Sequence, residues 1–309
     1  MARSAFPLFL SIVIIMSDRG IAQSGDPEPA QPGKLTGQLD SVRTVSKLDL
    51  VPTWYDMFAN IPRDWSRYYK ITIVPAEIPA ALAITGLTAA LIYSDHDTYQ
   101  ASSNWYHSSG VVKSASDFFE YLGDGKPQFG LAAAFGAYGF IANDHRALRV
   151  ASQTVQVILA CGTVIQVLKH VTGRESPFVA TSPRGVWRFF PNQIEYHKHV
   201  PHYDAFPSGH IATALATITV VSENYPEERW MKPVGYTVVG LIGVAMANTG
   251  IHWYSDYPLG LALGYSFGML AAHPEGWNSA QAEDGNSVKL TMMPMISPTR
   301  TGIGIALSF

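Results

Sequence analysis

The stretch Asp204-Ala205-Phe206-Pro207-Ser208-Gly209-His210 runs directly into the apolar segment Ile211–Val221. It reads as a loop entering a helix. Pro207 punctuates the loop, Ser208 stands at the N-cap position, and Gly209 admits close approach of the backbone to a ligand. The first turn of a helix presents free N–H groups at the positive end of its dipole, which suits an anion such as phosphate. His210 adds a titratable proton donor at the same place. Alone, these residues also describe an ordinary capped helix with a surface histidine. What lies upstream and downstream decides between the two.

Around this stretch lie six apolar segments: Ile78–Tyr93, Phe129–Ala142, Val150–Leu168, Ile211–Val221, Val234–Ala247 and Pro258–Ala272. Their lengths and alanine content favour helices over strands, and proline, glycine and charge clusters separate them. The fold class expected is therefore all-α, a six-helix bundle. In the last segment Gly260, Gly264 and Gly268 recur every four residues and give one smooth face for close helix contact. Most of the apolar runs fall short of the ~20 residues that cross a bilayer. A bundle in the periplasm or on a membrane face is thus the reading, with a polytopic bundle as the alternative if flanking residues lengthen the helices.

Two further stretches carry chemistry. The third segment ends in Lys169-His170-Val171-Thr172-Gly173-Arg174-Glu175-Ser176-Pro177, two cations around a glycine turn. Cations at a helix C-terminus also serve the dipole alone. Between the fifth and sixth segments lies Gly250-Ile251-His252-Trp253-Tyr254-Ser255-Asp256-Tyr257-Pro258. In a helical turn, His252 and Asp256 share one face. An aspartate accepting from one imidazole nitrogen fixes the tautomer and leaves the other nitrogen as base or nucleophile. Asp95, His96 and Asp97 read as a solvated helix end. His197, His199 and His202 read as a polar loop near the mouth of the site rather than a metal centre.

The three stretches in this order resemble the type 2 phosphatidic acid phosphatase superfamily, which includes bacterial acid phosphatases and vanadium haloperoxidases. Its pattern is Lys-x6-Arg-Pro, then Pro-Ser-Gly-His, then Ser-Arg-x5-His-x3-Asp. Lys169, Pro177, Pro207 to His210, His252 and Asp256 match, and the resemblance covers roughly 78–272. It implies a phosphatase acting on a phosphomonoester, a lipid phosphate or a lipid diphosphate, with no metal and no cofactor. In that scheme Lys169, Arg174, Ser208 and Gly209 hold the phosphate. His252 attacks phosphorus to form a phosphohistidine, Asp256 orients it, and His210 protonates the leaving oxygen and then activates water. Two family arginines are absent: Ser176 and Met246 stand in their places. Arg174 is the nearest substitute. Arg184, Arg188, Lys198 and Asn248 are further candidates. The alternatives are a vanadate-dependent haloperoxidase and a scaffold or binding protein that keeps the fold.

The rest of the chain supplies an address. Of 309 residues, 47% are hydrophobic and 15% charged, and the formal net charge of -3 gives no footprint for nucleic acid. Residues 1–22, with Arg3, an apolar core and Gly20-Ile21-Ala22, read as a secretory signal peptide. Residues 23–49 read as a linker, and 50–275 as the helical domain, opened by an aromatic-rich helix over Leu50–Tyr69. Residues 276–309 read as a linker followed by a β-hairpin, Val288–Ile296 with Thr301–Phe309. The expected location is the cell envelope, periplasmic or membrane-associated. Cys161, the single cysteine, is expected to be buried and inert.

Overall fold

The computed structural model describes residues 52–53, 55–274, 289–297 and 300–308, the last two stretches by their main chain. The signal-peptide and linker readings over 1–49 and 276–288 lie outside the described residues.

Helices dominate. A short α1 (Asp56–Ala59) and α2 (Ile61–Thr72) replace the single helix expected in the aromatic stretch. Then follow α3 (Ile78–Tyr106), α4 (Gly110–Gly123), α5 (Gly125–Ala142), α6 (His145–Thr172), α7 (Gln193–Lys198), α8 (Gly209–Asn224), α9 (Met231–Asn248) and α10 (Tyr257–Ala272). The six expected helices are α3, α5, α6, α8, α9 and α10. Each is longer than its apolar run, and α3 and α6 much longer, at 29 and 28 residues. The expectation of short segments is corrected here. Backbone hydrogen bonding continues until a cap stops it, whatever the polarity of the side chains. Thus α6 starts where the Asp144 side chain accepts from the N–H groups of Arg146 and Ala147, and ends at Gly173, which is left-handed at φ 54°. Helix α4 was not anticipated, because its residues mix polar and apolar types rather than forming an apolar run. It is capped by Ser109, which accepts from Val112 N–H.

Helix α8 is the central element, packed by α6, α9 and α10. Ile211, Leu215, Val239, Ile242 and Tyr257 form one buried group between α8, α9 and the start of α10. Cys161, Ile165, Ala212, Leu263 and Phe267 form another between α6, α8 and α10. The glycine stripe permits this: a Cβ on Gly264 would lie 2.3 Å from the Ala212 carbonyl oxygen, and one on Gly260 2.7 Å from that of Ser208. Helices α8 and α10 therefore touch backbone to backbone.

Among the described residues, two helical stretches, Pro75–Tyr106 and His145–Thr172, are long and apolar enough to cross a membrane. They differ in surroundings. The apolar window of the first is wholly unburied, whereas 56% of the second is buried in the bundle. Ile78, Leu82, Leu87 and Tyr93 on α3 are all exposed, as are Phe140 and Ile141 on α5.

At the end of the chain, β1 (Lys289–Ser297) and β2 (Arg300–Ser308) pair antiparallel, with Lys289 opposite Ser308 and Ser297 opposite Arg300.

Candidate active site

Four helix ends meet at one pole of the bundle: the C-termini of α6 and α9 and the N-termini of α8 and α10. The chain between α6 and α8 closes over them. It is tied down by Ala205 N–H donating to Arg174 O at 3.0 Å and Thr172 Oγ1 donating to Phe206 O at 2.8 Å. Met246 O accepts from Ile251 and His252 N–H, which bends the chain after α9 so that His252 points back into the bundle. Ser208 N–H donates to Asp256 O at 3.0 Å and joins the starts of α8 and α10.

This brings the two histidines together. His210 Nδ1 lies 3.1 Å from His252 Nε2. The other nitrogen of His252, Nδ1, stands 3.5 Å from Asp256 Oδ2 without a hydrogen-bond partner among the described residues. Asp256 Oδ2 accepts from Trp253 N–H at 2.8 Å, which aims this oxygen toward the imidazole. With the Nδ1 proton facing Asp256, His252 Nε2 carries the free lone pair and His210 Nδ1 the proton between the rings. Burial pushes His252 down to about 3, and the positive charge of Lys169 acts the same way. The imidazole is therefore neutral at neutral pH.

Lys169 is buried, with Nζ 3.6 Å from Asp204 Oδ2. A Cβ on Gly209 would come within 4.0 Å of Lys169 Nζ, so the ammonium sits against the first turn of α8. Ser208 occupies the N-cap position but makes no side-chain cap, and its buried Oγ has no partner among the described residues. Lys169, Ser208, Gly209, His210, His252 and Asp256 are thus brought to one place.

Arg174 stands differently. Its side chain is fully buried. Nη1 donates to Ser255 Oγ at 2.7 Å and to Asp256 Oδ1 at 2.5 Å. Nη2 donates to Asp95 Oδ2 at 2.6 Å and to Arg184 O at 3.1 Å. The guanidinium lies 4.8 Å from the ring centre of Trp187 and 5.3 Å from that of Trp253. Both terminal nitrogens are thereby engaged behind the His252–Asp256 pair. Asp95 also corrects the sequence reading. It is no solvated helix end but a fully buried carboxylate inside α3, accepting from Ser255 Oγ at 2.6 Å as well.

The remaining candidates have other partners. Arg188 donates to Glu175 at 2.8 Å, Arg184 lies over the Tyr93 ring, and Lys198 pairs with Glu195. Asn248 donates to Ser116. Ser176 and Met246 are both buried, Met246 in the apolar group of α8 and α9. Sequence reasoning also missed Glu175. This carboxylate accepts from Thr181 N–H and Oγ1, Val186 N–H and Arg188, and so organises the loop over the site. Its signal was slight: an acidic residue between a glycine turn and a proline.

All three motifs fall within a match to a known family model. Residues 151–279 match the PAP2 superfamily model. The matched segment contains every residue gathered at this pole except Asp95, which lies well before it. A 37% identical relative over 68 residues is a lipid A 1-phosphatase of Porphyromonas gingivalis; the match covers 22% of this chain and 15% of that protein's length. Among solved structures, Aquifex aeolicus LpxE aligns with 57% of this chain and 92% of its own at 20% identity and a TM-score of 0.42. A transmembrane PAP2 type phosphatidylglycerolphosphate phosphatase from Bacillus subtilis aligns with 67% and 96% at 16% identity and a TM-score of 0.44.

Proposed function

We propose that this protein is a membrane-associated phosphatase that hydrolyses a lipid phosphate or diphosphate through a phosphohistidine. The observation that carries this reading is the line from His210 through His252 to Asp256, set beside Lys169 at the start of α8. In this scheme the substrate phosphate enters between the two imidazoles and replaces their mutual hydrogen bond. Its oxygens take the first-turn N–H groups of α8, the Ser208 hydroxyl and the Lys169 ammonium. His252 Nε2 attacks phosphorus as the bond to the leaving oxygen breaks, and Asp256 stabilises the positive charge that develops on the ring. The bound anion favours the protonated form of His210, which delivers its proton to the leaving oxygen. Water, deprotonated by His210, then attacks the phosphohistidine, releases inorganic phosphate and restores His252.

The lipid character of the substrate is supported by the surface. The exposed apolar side chains of α3 and α5 suit acyl chains better than water. We place α3 within the bilayer on that ground. Phe178, Phe189 and Phe190 are exposed on the loop that closes the site and suit the membrane interface. The relative named a lipid A 1-phosphatase points the same way.

The test is release of inorganic phosphate from detergent-solubilised phosphatidic acid and from p-nitrophenyl phosphate, with a metal chelator present. The wild type should release phosphate and His252→Ala should not. Equal release by both proteins would exclude the phosphohistidine route.

A further inference from the structure

Buried ion pairs offset their desolvation only when their geometry is good and their remaining hydrogen bonds are satisfied. Behind His252 the chain builds a buried ionic cluster from three distant segments, in which Arg174 Nε is the one guanidinium nitrogen without a partner among the described residues. Asp95 on α3 receives Arg174 Nη2 at 2.6 Å and Ser255 Oγ at 2.6 Å. Arg174 gives its other terminal nitrogen to Asp256 and Ser255. Trp187 and Trp253 flank the guanidinium. All four polar side chains, Asp95, Arg174, Ser255 and Asp256, are buried. A cluster this deep that ends on the partner of the nucleophile calls for a role beyond holding the fold.

We propose that Asp95 and Arg174 are positioning residues for the nucleophile, acting through Asp256. The inference rests on the phosphohistidine reading above. Two effects follow from the geometry. Arg174 fixes the rotation of the Asp256 carboxylate: with Oδ1 held by the guanidinium, Oδ2 faces His252 Nδ1. Asp95 supplies the second effect, which is charge. Arg174 facing Asp256 alone would cancel the negative charge that His252 needs as it becomes positive. With Asp95 on the opposite side, the cluster of two carboxylates and one guanidinium keeps a net charge of about -1 toward the imidazole. Arg174 in this position orients the catalytic pair and does not bind the phosphate, while Lys169 and the start of α8 hold the anion.

The experiment compares kcat and KM for phosphatidic acid in the wild type, Asp95→Asn, Arg174→Lys and Ser255→Ala, each solubilised as the full chain. Asp95→Asn keeps the shape and a hydrogen bond but removes the charge. It should lower kcat about 10- to 100-fold and leave KM within about threefold. Single-turnover trapping should show slower formation of the phosphohistidine. Arg174→Lys keeps the charge but loses the fork, and should lower kcat comparably. Ser255→Ala removes only the bridging hydroxyl and should lower kcat about three- to tenfold. It keeps the proposal testable if Asp95→Asn does not fold. Folded Asp95→Asn with wild-type kcat would overturn the proposal. So would a raised KM with kcat retained in Arg174→Lys, which would return the guanidinium to the substrate. If Asp95→Asn does not fold, wild-type kcat in Ser255→Ala would overturn it. A wild type without activity, or one matched by His252→Ala, would instead defeat the phosphohistidine reading itself.

Discussion

Nδ1 of His210 and Nε2 of His252 stand 3.1 Å apart, across the gap between the start of α8 and the turn after α9. Two neutral rings hold this contact by sharing one proton. Two imidazolium rings have only donors to offer each other, so the pairing depends on protonation state. Burial, with Lys169 nearby, pushes His252 down to about 3. Its ring should therefore stay neutral from pH 7 to 5, where a free histidine becomes largely charged. Histidine NMR of the wild type, with the signal assigned by loss in His252→Gln, checks this. A titration near 6.5 would contradict it.

The same shift carries a sign for stability. Below about pH 6.5 the unfolded chain binds a proton at this position that the folded chain does not, so stability falls as pH falls toward about 3. His252→Gln removes the linkage. Wild type should lose stability faster than His252→Gln over that window, by up to about 1.4 kcal/mol per pH unit. Denaturation midpoints of both proteins across the window measure the difference.

Lys169 is the cation set against the first turn of α8. Lys169→Ala should lower kcat/KM about 10²- to 10³-fold. Inhibition by inorganic phosphate should weaken in parallel, because the ground-state anion uses the same ammonium. Unchanged inhibition in the variant would remove Lys169 from the anion site.

Glu175 organises the closing loop. Burial opposes its ionisation, but donors from Thr181, Val186 and Arg188 outweigh it and hold the carboxyl at about 2. Glu175→Gln should therefore cost roughly 2 kcal/mol at pH 7, with the gap to wild type closing as pH falls from about 4.5 toward 2. Limited proteolysis within 177–190 at neutral pH should speed up in the variant.

Helix contact tests the stripe on α10. A Cβ on Gly264 would lie 2.3 Å from Ala212 O, so Gly264→Ala must push α8 and α10 apart. A loss of about 1–3 kcal/mol is expected, with reduced activity because the two helices begin at the site. On α6, Gly162 has nothing within 4 Å of its added Cβ, and Gly162→Ala should be neutral or stabilising. Thermal unfolding of the pair gives the comparison.

Six helices were legible because each carries an apolar run that water cannot accommodate. Their ends were less so. Helix α3 continues through Ser94-Asp95-His96-Asp97-Thr98, which a local reading takes as a stop. The helix persists because the backbone bonds do and because Asp95 finds partners inside the protein. Spacing also marked Lys169, Ser208, Gly209, His210, His252 and Asp256, since each lies within a few residues of a turn or helix end that positions it.

By itself, then, the sequence determined the helical class, the order of the three motifs and the residue types that suit phosphate chemistry. Tertiary structure alone decided which groups Arg174 meets. Arg174 and Asp95 are separated by 79 residues, and nothing in either neighbourhood announces the other. A guanidinium two residues from a phosphate motif reads as an anion ligand, and local sequence does not show that the fold also delivers two carboxylates to it. Once Asp95 and Asp256 lie within hydrogen-bond distance in a fully buried site, they take both terminal nitrogens of its fork. Local sequence states which groups are available; the packing of α3 against the start of α10 fixes which of them meet.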